Sequence, residues 1–451
     1  MALDWTALGD ETLRHLVALL RIDTTNPPGG ELPAASYCAT VLREAGLDPA
    51  LLESAPGRGN CVARLRGDSD AAPLLLHGHL DVVPADPAEW THPPFAGETH
   101  DGHVWGRGAI DMKHMVAMSL TVLCALARAG VRPRQDVLFA AVADEEVGSR
   151  LGAKWLVDHH PDRVRAAYAL GEVGGFTLHA AGRRLYPVQV AEKGLCWLRL
   201  RARGRQGHGS VPHDENPVVR LADVVARIGR QRLPQHNTAV MRDFLARTAA
   251  TQPLPAAALL RALAAPGVSD LLLDRVLPDR ARAELFAALL HNTAAPTVLR
   301  AGGKTNQIPS FAEADLDGRL LPGQTAEDLV REVRAVAGDP AWLEVDVLEH
   351  HPPVETSPAT PLFEAITRVV QRNDPGAIVV PNLIPGFTDA WAWSQLGAVC
   401  YGFAPVRMGP DLVFSRLYHG VDERVPADGV RWGVRVLYET VREFVAPDAP
   451  L

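Results

Sequence analysis

Cysteine is scarce and unpatterned. The 451-residue chain has five, Cys38, Cys61, Cys124, Cys196 and Cys400, an odd number with no Cys-x-x-Cys pair. That argues against a disulfide framework and for reduced thiols in a cytoplasmic protein. No apolar run approaches the ~18 residues that a membrane span needs, so no membrane partner is expected. The first segment carries Asp4, Asp10 and Glu11 without a basic n-region, so it does not read as a secretory signal. An excess of basic charge is also missing: 45 Lys and Arg against 53 Asp and Glu leave a net charge of −8. Phosphate binding needs a basic face, which argues against nucleic acid as the partner. There is no collagen period, heptad array, charged block, internal repeat or low-complexity linker. A hydrophobic content of 47% with 22% charged residues is globular and excludes wholesale disorder. The length suffices for more than one core.

Apolar spacing supplies the elements. Leu13, Leu16, Val17 and Leu20 recur at helical intervals, and a second helix is expected over Ala34–Glu44, ending at Gly46. Pro73–Leu76, Val137–Ala143 and Ala166–Leu170 are buried-strand candidates. Between the first two, Val116, Leu120, Leu123 and Ala127 share a helix face. This alternation signals an α/β layer with a largely parallel sheet. Near Gly194 the pattern changes: Leu198, Leu200 and Ala202 alternate with Arg199, Arg201 and Arg203, a strand with one wet face. A helix over Pro217–Ile228, strands near Thr297–Ala301 and Ala312–Leu320, a helix over Thr325–Val336 and a strand Leu343–Leu348 complete a ferredoxin-like order. We read residues 194–353 as a domain inserted between 1–193 and 354–451, with an extra Ala/Leu-rich helical stretch at about 253–290. The α/β pattern resumes with helix Pro361–Arg372, strand Ile378–Val380, helix Ala390–Leu396, strand Val399–Gly402 and a final helix from about Val430.

Five polar clusters punctuate this framework. His77-Gly-His79-Leu-Asp81 ends a hydrophobic strand, where open α/β sheets bind ligands. A His two residues before an Asp suits a metal ligand whose ring a carboxylate orients; a loop that caps the next element looks the same. Asp111 follows Gly106-Arg-Gly108 just before a long apolar helix, where a plain N-cap is the simpler reading. Asp144-Glu-Glu146 places three adjacent carboxylates at a strand end. They need a cation or water: the choice is between a solvated acidic turn and a metal site in which one carboxylate is a ligand and its neighbour a base. Glu172, among glycines, and His419 in Tyr418-His-Gly-Val-Asp-Glu-Arg424 read singly as loop residues. Together, His79, Asp111, Glu146, Glu172 and His419 are the imidazole and carboxylate mix that suits zinc and related ions.

The order of motifs HGHLDVVP, GRGAIDMK, DEEVGS, GRQGHGSVPH, GGKTNQIP and DLDGRLLPG resembles that of the co-catalytic zinc amidohydrolases and peptidases, which include acetylornithine deacetylase, succinyl-diaminopimelate desuccinylase, aminoacylase and the glutamate carboxypeptidases. The resemblance spans nearly the whole chain. It implies that His79 with Glu172, and Glu146 with His419, hold two divalent ions, zinc in the first instance with cobalt or manganese as alternatives, and that Asp111 bridges them. It implies that Asp81 orients His79, that Glu145 is the general base, and that His208 helps stabilise the oxyanion, usually in the partner subunit's site. Asn306 and Arg319 are expected to contact a substrate carboxylate, and Thr388 matches a family segment beside the site. The inserted domain is then a lid and dimerisation domain. The implied reaction is hydrolysis of an amide in an N-acyl amino acid or short peptide by a hydroxide bridging two ions, in a homodimer. A metal-binding relative without hydrolysis and a plain α/β binding module are the rival readings.

One departure from the family pattern is His114, where many members have glycine; it is expected to pack against the helix start rather than bind metal. His159-His160 is expected to be a solvated helix end, His350-His351 a hinge, Trp391 and Trp393 packing residues, and the Arg199, Arg201, Arg203 run a wet strand face. Gly171, Gly174 and Gly175 do not make a dinucleotide fingerprint.

Overall fold

The computed structural model describes residues 3–447 apart from 181, 278 and 413. The chain forms two compact units. The first comprises Met1–Val190, Thr356–Pro381 and Thr388–Leu451; the second comprises Ala191–Glu355 and Asn382–Phe387.

In the first unit, strands Val137–Val142, Leu74–His79, Tyr168–Gly171 and Val399–Gly402 lie side by side and parallel. Strands Arg58–Leu65 and then Ala50–Ala55 extend one side antiparallel, and Arg183–Glu192 borders the other side antiparallel. The sheet is therefore mixed and largely parallel at its centre. Every residue of Leu74–His79 and Val137–Val142 is buried, as expected of strands covered on both faces. Helix Lys113–Arg128 packs on Leu74–His79 and against helices Trp5–Leu20 and Ala427–Val445. It is buried from Lys113 to Leu126. Gly78 permits that approach, since a Cβ there would sit 2.8 Å from Val116 Cγ2.

The register sets up the site. Leu74 pairs with Val137 and His79 with Val142, while Leu76 lies opposite Leu170. The residues just beyond His79, Val142 and Gly171 thus emerge together at the carboxyl edge of the parallel strands.

The second unit holds a four-stranded antiparallel sheet in the order Thr293–Ala301, Phe311–Leu320, Gly194–Arg203, Leu343–His351. With helices Pro217–Arg230 and Ala326–Ala337 the chain order is strand-helix-strand-strand-helix-strand, the ferredoxin-like arrangement. Leu198, Leu200, Leu221, Val224, Leu316 and Leu329 fill its core. Thr325 and Asp328 form a capping box at the start of Ala326–Ala337, which satisfies two otherwise free N–H groups. On the other sheet face Arg199 pairs with Asp315, Arg201 with Glu313 and Arg203 with Glu344, so the arginine run is a wet face neutralised across strands.

Helices Ala256–Ala262, Val268–Arg275 and Arg280–Leu290 occupy the extra stretch, of which residue 278 lies outside the described residues. A further helix, Ala239–Ala250, precedes them. His350 and His351, expected at a hinge, instead end strand Leu343–His351 and pair with Cys196 and Leu195. Trp391 and Trp393 are buried packing residues, and His159 is an exposed helix end stacked on Trp155.

Candidate metal centre and active site

Six of the expected side chains converge at the carboxyl edge of the first unit's sheet. His79 closes its strand, with Nδ1 2.9 Å from the Asp81 carbonyl oxygen. Its Nε2 lies 3.0 Å from Asp111 Oδ1 and 3.6 Å from Glu172 Oε2. His419 Nε2 lies 2.8 Å from Asp111 Oδ2 and 3.2 Å from Glu146 Oε2. One carboxylate, Asp111, thus faces one imidazole with each oxygen. Glu145 Oε2 stands 4.0 Å from His79 Nε2. Two overlapping groups, His79–Glu145–Glu172 and His79–Asp111–Glu146, each keep their ligand atoms within 4.8 Å of one another.

Two plainer readings fail here. Asp111 is not the N-cap, a position taken by Met112. Its carboxylate turns to the imidazoles instead. The acidic turn is not solvated either: the side chains of Asp144, Glu145 and Glu146 are 7%, 9% and 5% exposed. A turn of three carboxylates buries its charge only with compensation. Asp144 has Arg58, at 2.8 Å. Glu145 and Glu146 face the imidazoles of His79 and His419 rather than a guanidinium, and Glu146 Oε1 is buried without a hydrogen-bond partner.

The electrostatics reflect this crowding. Burial, with Glu172 and Glu146 nearby, holds the Glu145 carboxyl well above the usual carboxylate range. Burial and Asp111 push Glu146 up to about 7 against the pull of His419. Burial also raises Glu172, with His79 opposing. Burial works against charge on His79, but Glu172, Asp111 and Asp81 outweigh it and raise the imidazole well above its ordinary value. Asp111 and Glu146 raise His419 to about 10. Asp81, Asp111, Glu145, Glu146 and Glu172 are five carboxylates against two imidazoles, so with every carboxyl ionised the site would be anionic even with both rings protonated, and the raised proton affinities of the three glutamates express that excess. Imidazole and carboxylate donors with an orphaned oxygen and unbalanced negative charge fit a pair of divalent cations.

A supporting layer holds these groups in place, and sequence reasoning identified only Asp81 in it. Asp81 Oδ1 and Oδ2 accept the backbone N–H groups of Glu145 and Glu146, each at 3.1 Å. Asn26 Nδ2 donates to Asp81 Oδ2 at 2.8 Å and to Asp144 Oδ1 at 3.2 Å. Arg58 forks onto Glu31 at 2.7 and 2.8 Å and reaches Asp144. Glu423, fully buried, accepts N–H groups from Gly108, Ile110 and Asp111 and pairs with Arg107. Asp144, Val173 and His419 have φ of 69°, 60° and 55°. Such left-handed backbone is uncommon outside glycine, less so for Asp and His, and costly for valine. Its clustering beside the ligands is typical of functional sites. Asn26 lies in the Pro/Gly-rich break after the first helix, and nothing local in the sequence marks it.

The remaining expected residues fall in three places. Thr388 is buried, and its hydroxyl accepts the Ala390 N–H. Its neighbour Asp389, bonded to Ser149 Oγ at 2.6 Å, is pushed up to about 7 by burial, opposed by Ser149 and His79. His114 is buried, falls outside both ligand groups and is pushed down to about 4 by burial, with Asp111 opposing. In the second unit His208 pairs with Gln307 in a short ribbon, and the Asn306 carbonyl accepts the Gly209 N–H at 2.8 Å, so His208 and Asn306 lie together. His208 Nδ1 lies 2.7 Å from the Ser210 hydroxyl and 3.2 Å from the Ser210 backbone N–H, which fixes the ring and leaves Nε2 free of these two contacts. Arg319 is held by Asp317 and lies over the Phe387 ring.

The fold and this centre are those of a metal-dependent hydrolase. Residues 75–443 match the family model "Peptidase family M20/M25/M40", and the chain belongs to that family, whose members hydrolyse amide bonds. Among curated relatives, the human N-fatty-acyl-amino acid synthase/hydrolase PM20D1 is 28% identical over 394 residues, 85% of this chain and 76% of the relative. A probable succinyl-diaminopimelate desuccinylase of Staphylococcus epidermidis is 25% identical and covers 93% of this chain and 94% of its own. Among solved structures, the M20 family metallo-carboxypeptidase Sso-CP2 from Sulfolobus solfataricus superposes with a TM-score of 0.69 at 19% identity, over 96% of this chain and 99% of its own. Human carnosine dipeptidase 1 does so with a TM-score of 0.66 at 14% identity, over 98% of each chain. These two likenesses concern the fold alone.

If Asn26 positions Asp81 and through it the two glutamate N–H groups, Asn26→Ala should weaken metal retention by about 10–100-fold. Competition of the loaded protein against a chelator measures this. An unchanged midpoint in a folded variant would remove Asn26 from the supporting layer.

Proposed function

We propose that the protein is a two-metal hydrolase of N-acyl amino acids or short peptides that releases an amino acid with a free carboxylate. The observation that supports this best is the Asp111 carboxylate, one oxygen toward His79 and the other toward His419. That is the disposition a bridging ligand needs between two ions, one held also by Glu172 and the other by Glu146. When bound, the ions, zinc in the first instance, acidify water and polarise the scissile carbonyl. Glu145 takes the proton of the attacking water and passes it to the leaving nitrogen. Asp81 fixes the His79 ring and the backbone of the two glutamates. His208 donates an imidazole N–H to the carbonyl oxygen as negative charge develops there. Asn306 and Arg319 receive the substrate carboxylate, for which a guanidinium fork is suited; Thr388 shapes the segment beside them. Residues 194–353 act as lid and dimerisation domain of a cytoplasmic homodimer.

Glu145→Gln should lose at least ~10²–10⁴-fold in kcat while keeping its metal, whereas Glu146→Gln should lose metal as well. Equal metal loss in both variants would mean that their roles are misassigned. Across a panel of N-acyl amino acids and dipeptides, Arg319→Ala should erase the preference for a free acid over its amide; a preserved preference would exclude Arg319 as its reader. If His208 serves the partner's site in a two-fold dimer, Glu145→Ala and His208→Ala chains, each nearly inactive, should recover about a quarter of wild-type activity on co-expression. No recovery with hybrids present would exclude action in trans.

A further inference from the structure

A second cluster of metal-binding donors lies apart from the centre just described. His92, Glu98 and His100 place one ligand atom each within 4.8 Å of the others. Glu98 Oε2 stands 2.7 Å from His100 Nε2 and 3.7 Å from His92 Nδ1. The two imidazoles are stacked, with centroids 3.8 Å apart and planes 8° from parallel. A zinc ion holding such donors at ~2.0–2.2 Å sets them roughly 3–3.5 Å apart; because an imidazole binds an ion in its own ring plane, one of the two stacked rings turns about its side-chain torsions to share it. The side chains are 24%, 43% and 41% exposed, which leaves room for water at an open coordination position.

The platform beneath is ordered. Glu98–His100 pairs with His103–Trp105, which pairs with Arg424–Pro426. Trp105 meets the His92 ring edge-on at 4.6 Å, and its Nε1 donates to the His100 carbonyl. Thr91, next to His92, donates both its N–H and its hydroxyl to Asp422 at 2.7 Å. Asp422 lies three residues beyond His419 and next to Glu423.

We propose that His92, Glu98 and His100 form a third, peripheral site for a zinc-class divalent ion, separate from the catalytic pair. Two imidazoles and one carboxylate favour zinc, copper or nickel over magnesium or calcium. Bound there, the ion clamps segment 91–100 onto the small sheet that leads into the His419–Glu423 turn. The inference does not depend on how the catalytic ions are arranged, because none of its three ligands takes part in them.

The test is a zinc count on the full chain. Wild type, His92→Ala and His100→Ala are dialysed against buffered zinc, and zinc per chain is measured by atomic emission. Wild type should hold one more zinc per chain than either variant, and all three should keep the same circular dichroism and basal hydrolysis. Zinc-edge anomalous diffraction should place the additional ion between His92 Nδ1, Glu98 Oε2 and His100 Nε2. Equal zinc counts in the three proteins, or an additional ion bound elsewhere, would overturn the proposal.

Discussion

Carboxylates at the carboxyl edge of a parallel sheet set the terms for the rest of this structure. Asp111, Glu145, Glu146 and Glu172 are nearly withdrawn from water, and two imidazoles cannot balance them together with Asp81. Burying charge without compensation costs several kcal/mol per group. The arrangement is therefore stable only with cations in it or with protons taken up, and the raised proton affinities of Glu145, Glu146 and Glu172 express that second route.

Much of the remaining architecture serves to hold those carboxylates at fixed positions. Register between Leu74–His79 and Val137–Val142 brings His79 level with the acidic turn. The Asp81 carboxylate ties that turn down through two backbone N–H groups. Glu423 does the equivalent for the loop that carries Asp111. These are second partners of first ligands, and preorganisation of this kind is what lets a catalytic centre act without rearranging its own dipoles.

The sequence displayed four of the centre's five donors because each follows a hydrophobic strand or a glycine turn, and an ionisable residue at such a point stands out against its neighbours; His419 has no such local mark and was singled out only together with the others. The supporting layer was far less legible. Asn26, Glu31 and Arg58 act only by meeting Asp81 and Asp144 across the fold, a relation that local pattern does not encode. His92, Glu98 and His100 fall in a polar stretch whose composition looks solvated, although Glu98–His100 forms a short strand. Among the strands, those with an unbroken apolar run were plain. Arg183–Glu192 escaped notice because it contains Pro187 and begins with two arginines. Ile378–Ile384 and Thr293–Ala301 were seen only in part, each interrupted by a proline, Pro381 and Pro296. Proline normally argues against a strand interior. At Pro296 the strand is an edge strand and its register shifts, so the missing N–H is tolerated.

The central claim is that Asp111 joins two ions. Anomalous diffraction from crystals of the metal-loaded protein tests it most directly. The account predicts two peaks in the first unit, one within bonding distance of Asp111 Oδ1, His79 and Glu172, the other within bonding distance of Asp111 Oδ2, Glu146 and His419. A single peak there, or two peaks that Asp111 does not bridge, would contradict it.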